Sequence, residues 1–263
     1  MKHRVINNIP VIELYEKGKE KEMLPTMFFY HGWESRKERV LEYGYFMSAK
    51  GYRAILPEAR GHGERQAQGQ NGHNPLDFWD VVGSNVKEFP ILVNKYVEED
   101  KIIESQITVA GLSMGGITAN ALLTQYDWIY SAASLMGSPS PIDYSNWLLR
   151  RYRENGQLMI NLLDEKKVQQ KLDELKPIAL NLQPHKINNR PFYVWHGTAD
   201  PTVPFIITDE FMKEIENEPY AKKLVYEVSE GIEHEVPADI IQNMVRFVHE
   251  AMCIMFLGKT NRD

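Results

Sequence analysis

The chain has 263 residues, 43% hydrophobic and 25% charged, which is ordinary globular usage and excludes collagen-like, coiled-coil and disordered readings. A formal net charge of −6 supplies no general attraction to phosphate backbones, so no nucleic-acid partner is expected. The single cysteine, Cys253, excludes an intramolecular disulfide and a multi-thiolate zinc site, and it is expected as a buried apolar filler in a reducing compartment.

The first twenty residues, MKHRVINNIPVIELYEKGKE, have no continuous apolar core and no small-residue cleavage site, so no signal peptide is read. No apolar run approaches the ~18 residues that cross a bilayer. A cytoplasmic location without membrane partners is the expectation.

Taken in chain order, residues 9–16 (IPVIELYE) and 24–30 (LPTMFFY) read as strands joined by a polar, Gly18-containing stretch, an expected hairpin. A helix follows, with Val40, Leu41, Tyr45 and Phe46 at helical spacing and Gly51 as its stop. Residues 52–59 (YRAILPEA) form a short strand. The alternation continues with a helix near 76–98, a strand at 106–111 (QITVAG), a helix at 114–125 and a strand at 131–137 (SAASLMG). It resumes after residue 189 with a strand at 190–197, a helix near 204–216, a strand at 222–229 and a closing helix near 238–257. Such alternation requires crossover connections, hence a mostly parallel sheet with helices on both faces. Residues 139–189 break it: they are helix-like, with Trp147, Leu148, Leu149, Leu162, Leu163, Leu172 and Leu175 as apolar faces. The predicted organisation is an α/β core, 1–138 and 190–263, with a helical cap insertion, 139–189.

Gly111-Leu112-Ser113-Met114-Gly115 matches G-x-S-x-G, in which a tight strand-to-helix turn lifts a serine hydroxyl above a sheet. Small neighbours are needed because such a turn leaves no room for Cβ atoms. The competing reading is a glycine-rich turn with a capping serine. The apolar strand before it and the helix after it favour the elbow, with Ser113 as nucleophile.

A serine hydroxyl needs a base, and histidine suits neutral pH. His234 lies in EGIEHEVP, between the last strand and the closing helix, where loops at strand carboxyl ends line sites in open parallel sheets. The alternative is a surface histidine among acidic neighbours. His3 and His249 lie outside such loops, His185 lies in the cap, and His73 reads as an exposed loop residue. His31, His62 and His196 each adjoin glycine near a strand end and are expected to organise loops. Asp200, in HGTADPTVP after the strand FYVW, is the candidate carboxylate for holding the histidine, against a plain Asp-Pro turn or cap. The chain order Ser, Asp, His agrees with that role. The developing oxyanion calls for backbone donors. Met114 N–H, directly after the serine, and Trp33 N–H, in His31-Gly32-Trp33, are the candidates; the Trp33 ring can also serve as core or substrate wall.

Together HGW, ARGHGER, GLSMGG, HGTADPTVP and EGIEHEVP resemble the α/β-hydrolase superfamily, over roughly residues 24 to 250. The likeness is greatest to small bacterial carboxylesterases between the prolyl-oligopeptidase and dienelactone-hydrolase groups. The resemblance implies the α/β-hydrolase fold, with Ser113 as nucleophile, Asp200 as acid, His234 as base, and Trp33 and Met114 as oxyanion donors. It implies no cofactor and no metal. Two departures stand out. Glu58 opens Glu58-Ala59-Arg60-Gly61-His62-Gly63 where many relatives have aspartate, in a segment that is usually structural. Position 113 is serine, whereas dienelactone hydrolases use cysteine.

Residues 141–190 carry an excess of three positive charges, including Arg150, Arg151 and Arg153, read as a solvated helix face. The expected activity is hydrolysis of a small-molecule, uncharged carboxylic ester by a serine carboxylesterase through an acyl-enzyme. The alternatives are a peptidase or acylaminoacyl hydrolase, and a catalytically silent ligand-binding α/β-hydrolase.

Overall fold

Side chains on the central strands alternate between two apolar layers, so helices must cover both faces of the sheet. The computed structural model describes residues 1–67, 77–154 and 164–253, with the backbone alone from 254 to 260. Its strands are β1 (Lys2–Ile6), β2 (Ile9–Leu14), β3 (Leu24–Tyr30), β4 (Arg53–Pro57), β5 (Ile102–Leu112), β6 (Ser131–Leu135), β7 (Phe192–Gly197) and β8 (Leu224–Ser229). Its helices are α1 (Leu41–Ser48), α2 (Phe78–Glu98), α3 (Met114–Gln125), α4 (Pro141–Glu154), α5 (Glu165–Asp173), α6 (Phe205–Ile215) and α7 (Ala238–Thr260). His73, Leu162 and Leu163 lie outside the described residues.

One sheet runs β1-β2-β4-β3-β5-β6-β7-β8. The pairs β1–β2 and β2–β4 are antiparallel and the rest parallel. The mostly parallel sheet is what the alternation predicts, and the whole has the α/β-hydrolase architecture that the family resemblance implies. Phe28, Val109 and Val194 join one buried layer with residues of α2, α3 and α6, while Phe29, Ala110 and Trp195 join the other with α1 and α7. The loops after β5, β7 and β8, which carry Ser113, Asp200 and His234, therefore emerge along one edge of the sheet.

The predicted hairpin between 9–16 and 24–30 does not form. β2 pairs with β1 and β4, and β3 lies beyond β4. The hairpin is instead β1–β2, an element the sequence reading missed, closed at Asn7 (φ 47°) and Asn8 (φ 65°) with Ile6 opposite Ile9. Asparagine tolerates the positive φ that a two-residue hairpin turn requires. The segment between β2 and β3 is held by buried Arg53, which pairs with Glu13 and donates to the carbonyls of Glu20 (3.2 Å) and Glu22 (3.0 Å). Cys253 is also corrected: it is exposed, because the buried stripe of α7 falls on its neighbour Met252.

Residues 139–189 contain α4, α5 and three short 3₁₀ turns, with no strand among the described residues. Leu180 and Ile187, from the 3₁₀ turns, are fully buried in the layer that contains α3. Just beyond them, Arg190 donates to the carbonyls of Leu123 (2.7 Å), Tyr126 (2.8 Å) and Ile187 (3.1 Å), tying this segment to the end of α3. Burial lowers its pKa to about 10, against the opposing charge of Asp127. Truncating Leu180 to alanine should cost about 2–5 kcal/mol in urea unfolding, as for other core leucines. The same change at Leu182, 52% exposed, should cost no more than about 0.5 kcal/mol.

Candidate active site

The sharp turn between β5 and α3 depends on two glycine-dependent close approaches. Ser113 has φ 56° and ψ −119°, a backbone conformation that costs an L-residue roughly 1–3 kcal/mol and persists only where its surroundings hold it. A Cβ on Gly115 would collide with the Tyr30 carbonyl at the end of β3, and one on Gly111 would collide with the backbone of Gly115. Ser113 N–H donates to the Leu135 carbonyl (2.9 Å), and Ser113 carbonyl accepts the first helical bond from Ile117 N–H (2.9 Å). Met114 is the first residue of α3, where backbone N–H groups have no intrahelical acceptor and the helix dipole favours negative charge.

The structure brings the three sequence-predicted side chains together. His234 Nε2 lies 2.8 Å from Ser113 Oγ, and His234 Nδ1 lies 2.6 Å from Asp200 Oδ2. With Nδ1–H donating to the carboxylate, Nε2 presents its lone pair to the serine hydroxyl. Asp200 is fixed by its own loop as well: Oδ1 accepts from the N–H groups of Thr202 (2.8 Å) and Val203 (2.9 Å). Burial alone would raise its pKa, but hydrogen bonds from His196 and His234, with the Val203 N–H, hold the carboxyl well below the usual range. Asp200 is thus ionised throughout the neutral range.

Gly32 sits beside the elbow, where an added Cβ would lie 3.5 Å from Ser113 Cβ and 3.1 Å from Leu112 Cδ1. Its carbonyl accepts from His31 Nδ1–H (2.8 Å), and His31 Nε2 accepts from Ala59 N–H (3.1 Å). His62 likewise accepts from Glu34 N–H (3.2 Å) and donates to the Arg60 carbonyl (2.9 Å). Both histidines organise loops, as the sequence predicts. The Trp33 ring stands 4.9 Å from His62 and 5.4 Å from Phe78, in a cluster with Met114, Tyr144 and Val203. Tyr144 of α4 packs 6.1 Å from Phe78 and stacks on Trp147 at 6.1 Å. Arg151 lies 5.1 Å over the Trp147 ring and donates to the Pro201 carbonyl, so α4 contacts the loop that holds Asp200.

Sequence reasoning missed the ion network beneath the Gly32 loop. Glu58 is fully buried and faces His31 Nε2 (3.2 Å), Lys37 N–H (3.0 Å) and Lys37 Nζ (2.8 Å). Gly63, at φ 46°, passes so close that a Cβ would strike this carboxylate. The departure from aspartate at position 58 was visible, but its pairing with Lys37 depends on a fold contact across 21 residues. Among the described residues, His3, Glu38 and Glu64 bring ligand atoms within 4.8 Å of one another, but both carboxylates already pair with the Lys37 ammonium. No helix among the described residues is long and apolar enough to cross a membrane.

Residues 21–176 match the family described as serine aminopeptidase, S33, a stretch that includes the elbow and ends before Asp200 and His234. Among curated proteins the chain is similar to "Putative esterase YitV" of Bacillus subtilis (strain 168), 34% identical over 90% of this chain and 93% of that one. It is also similar to "Esterase YjfP" of Escherichia coli (strain K12), 27% identical over 94% of this chain and 97% of that one. Among solved structures, TT1662 from Thermus thermophilus superposes with a TM-score of 0.71 at 15% identity, covering 95% of this chain and 98% of that one. The chain belongs to the S33 serine aminopeptidase family of α/β-hydrolases. It is a hydrolase of the esterase type.

Burial would push the Glu58 carboxyl up, but the His31 ring beside it and the hydrogen bonds from Lys37 bring it down from 4.5 to about 2. A carboxyl depressed in the folded state stabilises above its unfolded pKa, and that stability is lost as pH falls through the folded value. Urea midpoints should therefore fall between about pH 4.5 and 2 in the parent. Glu58→Gln should be less stable at neutral pH and show a shallower decline over that window.

Proposed function

We propose that the protein is a serine carboxylesterase that cleaves small, uncharged carboxylic esters through an acyl-enzyme. The observation that carries this reading is the unbroken hydrogen-bond chain Asp200–His234–Ser113, 2.6 Å and then 2.8 Å, ending on a hydroxyl at a strained elbow. In the proposed reaction Ser113 Oγ attacks the ester carbonyl while His234 Nε2 takes its proton. The imidazolium so formed is stabilised by ionised Asp200. The tetrahedral oxyanion is met by the N–H groups of Met114 and Trp33. Support for Met114 comes from its place at the start of α3, and support for Trp33 from the His31 hydrogen bond that fixes the Gly32–Trp33 peptide. The alkoxide leaves with the proton from His234. Water, deprotonated by the same imidazole, then attacks the acyl-enzyme carbonyl and releases acid and free Ser113. The steps balance without a cofactor or metal.

Residues 139–189 act as a cap in this reading. Its first part, α4, supplies Tyr144 and Trp147 to the apolar cluster around Met114, and its last part anchors to α3 through Leu180 and Ile187. Arg150 and Arg153 are exposed, which agrees with a solvated basic face and an uncharged substrate. The esterase relatives support ester chemistry and a small-molecule substrate, whereas the family's description names an aminopeptidase and keeps amide hydrolysis as the second reading.

Two assays decide. Ser113→Ala should lower kcat on a short p-nitrophenyl ester by about 10⁴–10⁶-fold, as nucleophile removal does in other serine hydrolases. Ser138→Ala, which removes a buried hydroxyl that accepts from Ser140 N–H (3.1 Å), should change kcat little. Equal losses in the two variants would overturn the assignment of the nucleophile. Higher kcat/KM on peptide p-nitroanilides than on p-nitrophenyl esters would favour the peptidase.

A further inference from the structure

His196 is a fully buried histidine that the proposed reaction leaves unused. It lies near the end of β7, four residues before Asp200. Its Nε2 is 2.9 Å from the Val203 carbonyl and 3.1 Å from Asp200 Oδ2. A carbonyl only accepts, so Nε2 carries a proton, which the carboxylate shares. Asp200 Oδ2 therefore faces two imidazole N–H groups, that of His234 at 2.6 Å and that of His196 at 3.1 Å. Because Thr202 and Val203 occupy Oδ1, every favourable direction around the carboxylate has a donor.

The far edge of the ring is also built. His196 Nδ1 lies 3.1 Å from Thr208 Oγ1, which lies 3.1 Å from the Gly137 carbonyl. The single hydroxyl proton of Thr208 can serve either the Nδ1 lone pair or the Gly137 carbonyl. When Nδ1 is protonated as well, Nδ1–H donates to Thr208, Thr208 donates to Gly137, and Nε2–H donates to Asp200, so all partners are satisfied.

We propose that His196 is a positioning residue that shares Asp200 with His234, locking the carboxylate in place and dividing its pull on the His234 imidazolium. This rests on the serine-esterase reading above. Removing the His196 donor leaves His234 as the sole imidazole partner of Oδ2, and a carboxylate with fewer donors holds a neighbouring cation more strongly. His234 then stays protonated to higher pH, where it cannot take the Ser113 proton. The acidic limb of the pH–rate profile therefore moves upward when His196 is lost. The titratable and charged groups facing this cluster are Asp200 from its own loop, His234 from the loop after β8, and Tyr144 and Arg151 from α4. From α6, Thr208 and the Phe205 ring at 6.0 Å face His196, both uncharged, while the neighbouring Asp209 pairs with Lys213. Burial holds the Tyr144 phenol neutral, and Arg151 remains in every variant, so neither mimics the expected change.

The test is kcat/KM on a short p-nitrophenyl ester across about pH 5 to 9 for the parent, His196→Gln, His196→Leu and Ser113→Ala. The leucine variant should move the acidic limb upward by about half a pH unit or more, chiefly through kcat, with KM little changed. Glutamine, which can place an amide N–H near the Nε2 position, should restore much of the parental limb. Coincident limbs for parent and His196→Leu would overturn the proposal. Should the leucine variant fail to fold, nitrogen-15 histidine spectra of the parent decide: His196 Nε2 should keep its proton across the same range, and an unprotonated Nε2 would overturn it. Ser113→Ala separates the two ideas. Parental hydrolysis without Ser113 sinks the esterase mechanism itself, whereas abolished hydrolysis with an unmoved limb sinks only the role of His196.

Discussion

The backbone crossing at Ser113 is the constraint on which the rest of the structure depends. Gly115 passes so near the Tyr30 carbonyl, and Gly111 so near Gly115, that a methyl group at either glycine would push the turn open. That crowding holds Ser113 at positive φ, with its hydroxyl above the sheet edge instead of packed along α3. The parallel order of β3, β5, β6, β7 and β8 then sets the loops carrying Gly32, Asp200 and His234 around the same edge. A local strain that would be unfavourable in isolation is maintained by two buried layers on either side of the sheet.

Two buried carboxylates organise the rim. Asp200 is held by two backbone N–H groups and two imidazoles, and Glu58, beside the His31 ring, by the Lys37 backbone and the Lys37 ammonium. In each case burial opposes ionisation and donors override it, so the charge is retained only while the surrounding loops keep their geometry. One cluster fixes the loop that orients His234; the other lies beneath the loop that carries Gly32 and Trp33. Loss of either donor set should loosen a wall of the site before it unfolds the sheet.

Much of this was legible in the sequence because the signals are local. Apolar runs, helix stops and the G-x-S-x-G spacing report on backbone within a few residues, and they led to β2 through β8, α3 and the elbow. Asp200 and His234 were legible because each follows an apolar strand in a loop whose position the alternation dictates. Pairing across the sheet was not. The stretch after residue 15 has turn chemistry, yet the hairpin forms at Asn7-Asn8, and β2 finds β4 about forty residues later. The Asn7-Asn8 pair between the apolar residues Val5-Ile6 and Ile9 was the available signal for that turn. Glu58 with Lys37, Arg53 with Glu13, and Arg190 with the α3 carbonyls are likewise long-range; a charged residue in a sequence gives no sign of whether tertiary contacts will bury it. Cys253 failed for a simpler reason, since one position along α7 turns a buried face into an exposed one.

The central claim is that the hydroxyl of Ser113 is the group activated by His234. Mass mapping of the folded protein after treatment with a fluorophosphonate measures this directly, because such reagents are captured by activated serines. A single phosphonyl group on the peptide containing Ser113 is the predicted result. An unmodified Ser113, whether the folded protein takes up no reagent or carries it on another residue, would contradict the account.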